Sequence, residues 1–135
     1  MISVWIYASH ALIASRSAEE GTLYLRARAN NRANDITGHL HRSGERYVQV
    51  VEGEADAVAA LRRRIERDWR HDGLVTLREG TVRRRSFADW EMGFTDMEDA
   101  PAPLVTLLAD PFGAEPGALH AALHRMGHLA QRPRT

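Results

Sequence analysis

Neither cysteine nor lysine occurs in these 135 residues. The first absence excludes disulfides, thiolate metal sites and thiol catalysis. The second leaves arginine as the whole basic complement of 18, a bias that reflects genomic base composition before any demand for guanidinium chemistry. Net charge is absent as well, with 18 acidic residues against 18 basic ones. There is therefore no general electrostatic case for binding nucleic acid or an anionic membrane. No segment is apolar for long enough to span a bilayer. The first apolar run breaks at Ser9 and His10 and has no basic region before it, so it does not read as a secretion signal and the expected location is the cytoplasm. A glycine-rich phosphate loop and a nucleophile elbow are also missing, and with them the common catalytic signatures.

What remains is an ordinary globular composition, 44% hydrophobic and 27% charged, at a length that suits one core. Ile2 to Ala8 reads as a strand apolar on both faces, as a covered central strand would be. Ser15 or Ser17 can cap a helix that carries Glu19 and Glu20 in its first turn, Leu23 and Ala27 on one stripe, and ends at Asn30-Asn31. Ile36 to His41 and Tyr47 to Glu52 form a hairpin about Ser43-Gly44. Asp56 begins a second helix with Val58, Leu61 and Ile65 at helical spacing, ending near Trp69-Arg70-His71. Asp72-Gly73 then turns the chain into strands Val75 to Val82 and Trp90 to Phe94.

The order is βαββαββ. It predicts an α+β fold, a ferredoxin-like sandwich with a mixed sheet and two helices on one face. Val4, Ile6, Val48 and Val50 make the opposite face apolar too. Beyond Pro101 and Pro103, short helices over 103–109 and 116–131 should cover it, the latter through Leu119, Leu123, Met126 and Leu129. The chain thus divides into a sheet domain, 1–98, and a helical segment, 99–135.

Two polar groups conflict with this core. Gln49 sits inside Tyr47-Val48-Gln49-Val50-Val51, and a buried primary amide left unpaired costs about 1–3 kcal/mol. Tyr7 ends the run Val4-Trp5-Ile6 with a phenolic hydroxyl. On two strands of one sheet the pair can bond each other and a polar ligand. Asn30 and Asn31 read as a helix stop, or as amides offered to the edge of a heterocycle. Arg64 and Asp68, four apart, read as a surface ion pair or as a donor and an acceptor for the same edge. Arg70 and His71 are cap residues or phosphate contacts. Arg83-Arg84-Arg85 reads as a solvated run. Trp90, Met92 and Phe94 share a strand face and read as core. His120, His124 and His128 form a stripe with no carboxylate at matching spacing, so a solvated face is preferred to a metal site.

Together these pieces resemble the BLUF domain, a bacterial blue-light sensor that uses flavin. The resemblance spans roughly Ile2 to Phe94. It rests on Ile6-Tyr7-Ala8-Ser9, on Asn30-Asn31 followed by Ile36-Thr37-Gly38, on Val48-Gln49-Val50-Val51-Glu52-Gly53, on Asp68-Trp69-Arg70-His71, and on Arg85-Ser86-Phe87-Ala88-Asp89-Trp90-Glu91-Met92-Gly93-Phe94. It implies non-covalent FAD between the two helices, with FMN or riboflavin as alternatives. By the same resemblance Asn30, Asn31, Arg64 and Asp68 meet the polar edge of the ring. Tyr7 and Gln49 match the photoactive pair, and Trp90 and Met92 the switch elements. The implied protein is a photoreceptor rather than an enzyme, signalling through its C-terminal helices to a downstream protein or within a homo-oligomer. The competing reading is a flavin-dependent redox enzyme on a ferredoxin-like fold. Ala27, where many relatives carry serine, His39, His41 and Trp5 depart from the family pattern without removing a photochemical residue.

Overall fold

The computed structural model describes residues 1–96 and 115–130. Five strands form one sheet: β1 (Ile2–Ala11), β2 (Thr37–Ser43), β3 (Arg46–Gly53), β4 (His71–Val82) and β5 (Gly93–Asp96), in the order β4-β1-β3-β2-β5. All neighbours are antiparallel except β2 and β5, which run parallel, so the sheet is mixed as the element order predicts. Helices α1 (Ala18–Ala33) and α2 (Ala55–Glu66) lie on one face, and α3 (Pro116–Ala130) covers the other. The helix expected over 103–109 lies outside the described residues, as do the side chains of Met126, His128 and Leu129.

Alternation along β1 and β3 sorts the core into two layers. Trp5, Tyr7, Tyr47 and Val51 face α1 and α2, where they meet Val58 and Leu61. Val4, Ile6, Val48 and Val50 face α3, where they meet Phe87, Leu119, Ala122 and Leu123. The apolar second face is therefore covered by the C-terminal helix, through Leu119 and Leu123 as the spacing predicts.

Several boundaries differ from the sequence reading, each for a local reason. Asp72-Gly73 is no turn between elements, because β4 already begins at His71. Gly73 takes φ +61°, and the β1–β4 register slips between Ala8 and His10, so glycine serves a bulge there. Helix α1 is capped by Ser17, which accepts from the Glu20 N–H, and it continues through Asn30-Asn31 to Ala33. The left-handed residue after it is Asp35, at φ +53°. Helix α2 stops at Glu66, which leaves Asp68, Trp69 and Arg70 in the loop beyond it. Strand β5 starts only at Gly93, since Trp90 N–H turns back to the Phe87 carbonyl (2.9 Å) and the Trp90 carbonyl accepts from Gly38 N–H (3.1 Å).

The α3 side of the sheet holds unexpected polar groups. Glu52 is fully buried, and its carboxylate accepts from Thr37 Oγ1 (3.0 Å) and from the backbone N–H groups of Ser86 (2.9 Å) and Phe87. Arg85 is no solvated charge. It donates to Thr37 Oγ1 (3.0 Å) and to the Asp35 carbonyl (2.7 Å), fastening the same loop. His39 and His41 are fully buried and share the Thr95 hydroxyl, at 2.9 and 2.7 Å. The histidine stripe of α3 is not uniformly solvated either. His120 is buried parallel to the Phe87 ring and accepts from Arg78 at 3.0 Å, while His124, exposed, meets Phe87 edge-on.

Burial, with His41 beside it, pushes the His39 imidazole down to about 3. Burial pushes His41 down to about 4 against the pull of Asp96, and burial with Arg78 and His124 does the same to His120. In the unfolded chain these rings take protons near pH ~6.5. The folded values are depressed, so the stability they contribute is present above that pH and is lost as pH falls towards 4. Each ring contributes up to about 1.4 kcal/mol per pH unit across that window. Denaturant midpoints measured through the window should fall steeply, and His120→Leu should flatten the fall. An unchanged slope in that variant would remove His120 from the account.

Candidate functional site

The layer between α1, α2 and the sheet does not close completely. Small and polar side chains on α1, among them Ala27, Asn30 and Asn31, stand opposite Leu61, Arg64 and Ile65 of α2. The gap between them is a cavity of about 290 Å³, at the lower end of the roughly 300–1,000 Å³ typical of small-molecule sites. Its floor is the sheet, through Tyr7, Leu40, Tyr47 and Gln49; its end wall is the loop after α2, with Asp68, Trp69 and Arg70, and His71 at the start of β4.

The sheet register sets the floor. Tyr7 on β1 stands opposite Gln49 on β3, and Gln49 stands opposite Leu40 on β2. The Tyr7 hydroxyl donates to Gln49 Oε1, and both groups are buried. The other end of the amide, Gln49 Nε2, points at Met92 Sδ at 3.5 Å, where a thioether is only a weak acceptor. Burial, then the Asp68 charge, then Tyr47 raise the Tyr7 phenol well above its ordinary range, so it stays protonated.

Asn31 is the second anchor. It is fully buried inside α1, and its Nδ2 donates to the Glu91 carbonyl at 2.7 Å. Its Oδ1 is buried with no partner among the described residues and stands at the cavity wall. An orphaned buried acceptor is costly, which marks it as a place for a ligand N–H. Asn30 Oδ1 accepts from Arg64 across the top of the helices. Arg64 and Asp68 do not share a helix face, because Asp68 lies past the end of α2 and accepts from Arg70 N–H at 3.0 Å. His71 is committed to the fold. Its Nε2–H donates to the Ile65 carbonyl (2.6 Å), and its Nδ1 accepts from Ser9 (2.7 Å).

Tyr7, Gln49, Asn30, Asn31, Arg64, Asp68, Arg70 and His71 thus line one cavity, and Met92 adjoins it through Gln49. Trp90 does not. It precedes β5 instead of sharing its alternation, and packs on Phe87 (5.6 Å) and His124 (5.7 Å) on the α3 side. Trp5 shares the Tyr7 face as expected and stacks on its ring at 4.5 Å and 28°. It is absent from the cavity wall; its indole N–H donates to Thr76 (3.0 Å) and Arg62 lies over its ring at 4.9 Å.

Sequence reasoning missed one cluster. Arg42 and Tyr47 both donate to Glu20 Oε2, and all three are buried beside the cavity floor. Burial pushes the Glu20 carboxyl up, but the bonds from Tyr47, the Arg16 N–H and Arg42 outweigh it and hold the group below its usual range. The signal was an arginine at the end of a strand whose other residues are buried, which needs a carboxylate partner. Among the described residues no three histidine, aspartate or glutamate side chains cluster as a metal site would, and no helix is long and apolar enough to cross a membrane.

Residues 2–93 match the family described as "BLUF: Sensors of blue-light using FAD". Among solved structures, BlrB, a BLUF protein in its dark state, is 27% identical with a TM-score of 0.81, covering 97% of each chain. The photo-activated state of BlsA has a TM-score of 0.80 at 22% identity, covering 100% of this chain and 99% of that one, and so bears on the fold alone. BlrP1 of Klebsiella pneumoniae, with FMN and cyclic diGMP, is 26% identical with a TM-score of 0.73; the match covers 93% of this chain and 35% of that protein. No curated protein matches the chain.

The two buried phenols give an alkaline test. Burial raises Tyr7, and burial followed by the bond to Glu20 raises Tyr47. Unfolded tyrosines ionise near pH ~10, so the stability these groups contribute is present below that pH and is lost as pH climbs above it. Tyrosinate absorbance from Tyr7 and Tyr47 should therefore appear only together with unfolding. Tyr7→Phe and Tyr47→Phe should each remove one phenol from that late phase, and an early signal lost in either variant would contradict the burial.

Proposed function

Because this chain belongs to the BLUF family, we infer that its cavity holds FAD and that Tyr7 and Gln49 form its photoactive pair. The protein is a blue-light photoreceptor and binds a flavin. The observation that carries the residue assignment is the buried bond from Tyr7 to Gln49 Oε1 at the cavity floor, with only a thioether facing the other end of the amide.

The side chains present fit a flavin. Asn31 Oδ1, the orphaned acceptor, suits the imide N–H of the ring. Arg64 and Asn30 stand along the same edge, and Arg70 lies near enough to the mouth to face a phosphate. His71 serves better as a strut for the loop than as a phosphate ligand, since both ring nitrogens are occupied. The bound flavin supplies absorption of blue light and, once excited, an acceptor for an electron and a proton. Tyr7 would be the donor of both. Its phenolic O–H already donates to Gln49 Oε1, so loss of an electron from the phenol would make that proton acidic along an existing bond. Gln49 would then rearrange, changing its contacts with both Tyr7 and Met92.

In this reading the chain is a photosensor whose output is mechanical rather than enzymatic. Met92 lies on the flavin side and Trp90 on the α3 side, two residues apart. A shift of Met92 reaches Trp90 through the backbone, and Trp90 packs on His124 of α3. The segment 99–135 is then the output region, passing the change to a downstream protein or a second copy of the chain as a population shift.

Gln49→Leu should retain flavin and lose the small light-induced red shift, measured by absorption before and after blue light. A normal shift in that variant would remove Gln49 from the photochemistry. Hydrogen exchange compared in dark and light should show faster exchange over Pro116–Ala130 in the lit state. Equal exchange with an intact spectral shift would place the output surface elsewhere.

A further inference from the structure

Trp69 is unaccounted for by the photochemistry. It is 67% exposed, yet it belongs to the end wall of the cavity, immediately before Arg70. Such exposure of the largest side chain is uneconomical unless something covers it. The Arg70 guanidinium stands 5.8 Å from the Trp69 ring centroid, which steadies the indole. Around it the cavity is lined by Arg26, Arg64 and Arg70 against the single carboxylate of Asp68. Arg70 reaches Asp68 only at 3.7 Å, and Arg26, on α1, has no ion pair among the described residues.

These features differ from the deep polar contacts in their exposure to solvent. Tyr7, Gln49 and Asn31 are buried and suit the ring, whereas Trp69 and Arg26 are exposed. A flavin whose ring is held deep must lead its phosphorylated tail outward past the rim. The rim offers surplus guanidinium charge and then an aromatic face. That sequence of charge and face matches a diphosphate followed by a base, and a monophosphate would leave the indole uncovered.

We propose that Trp69 is the adenine platform of this site, stacking the base of FAD while Arg26 and Arg70 face its diphosphate, so that this residue sets the preference for FAD over FMN. This rests on the flavin reading above. It gives the choice of cofactor to a residue outside the photoactive pair. Stacking on a flat aromatic face is tolerant in geometry and adds about 1–3 kcal/mol per base, equivalent to roughly 5- to 150-fold in affinity.

The test is titration of apo-protein with FAD, FMN and riboflavin, followed by calorimetry and by quenching of flavin fluorescence. The wild type should bind FAD about tenfold or more tightly than FMN. Trp69→Ala should lose that margin, with the loss falling on FAD, and Trp69→Tyr should keep most of it. Binding of AMP should quench tryptophan fluorescence in the wild type and not in Trp69→Phe, a readout independent of the ring site. Equal FAD and FMN affinities in the wild type would overturn the proposal, as would a Trp69→Ala variant that weakens both flavins alike. Failure of the wild type to bind any flavin would instead overturn the photoreceptor reading beneath it.

Discussion

The fully buried carboxylate of Glu52 is the contact on which the site's geometry depends. Taking a carboxylate out of water is costly unless its lone pairs are met. Here they are met by the Thr37 hydroxyl of β2 and by consecutive backbone N–H groups at Ser86 and Phe87. A bond to backbone groups fixes the path of the chain itself, whatever the side chains there. It holds the start of the β4–β5 connection against the middle of the sheet, and Arg85 fastens the residue before. Phe87, fixed in this way, becomes the hub on which His39, His120, His124 and Trp90 pack. The rest of the connection then passes to the other face, where Asn31 and Tyr24 bond the Glu91 and Met92 carbonyls.

Two kinds of polar burial coexist in this small protein, and they work differently. Under α3, His41 spends both ring nitrogens on Thr95 and Ser43, whereas His39 Nδ1 and His120 Nε2 have no partner among the described residues. On the α1–α2 side the buried acceptor without a partner among the described residues is Asn31 Oδ1. Of these three atoms only Asn31 Oδ1 belongs to a residue that lines the cavity, where a planar heterocycle can enter. The ion pair of Arg42 with Glu20, joined by Tyr47, closes the nearby end of the floor and ties α1 to the hairpin.

Much of this was legible from residue pattern. Alternation alone placed Tyr7 and Gln49 on one face and Val48 and Val50 on the other, because a strand's period leaves no freedom once one face is buried. The covering of the second face by α3 followed from the apolar residues that needed it. Less legible were features fixed by contacts remote in sequence. Trp90 and Met92 look like strand alternation, but the Glu52-anchored loop delays β5 until Gly93 and sends the two side chains to opposite faces. Gly93 itself must lack a side chain, since a Cβ there would strike the His39 ring. Arg64 and Asp68 have helical spacing, yet α2 ends between them. His120 and Arg85 looked solvated because their partners, Phe87 and Arg78 for the first and Thr37 and Asp35 for the second, all stand 33 to 50 residues away in sequence.

The sulfur opposite Gln49 Nε2 has a kinetic consequence. An amide locked between two strong acceptors would have to break two good bonds before it could turn, and the barrier would rise accordingly. With a thioether on one side, the bond to Tyr7 is the main restraint, and in the proposed photochemistry that is the bond weakened when the phenol is oxidised. Methionine is also unbranched and flexible, so it can follow the moving amide and re-pack without opening a void. The pair of partners therefore acts as a ratchet with one firm tooth and one soft one. On the proposed photochemistry it would stay at rest in darkness, be free to move after excitation, and need no large displacement of the sheet to let the amide turn.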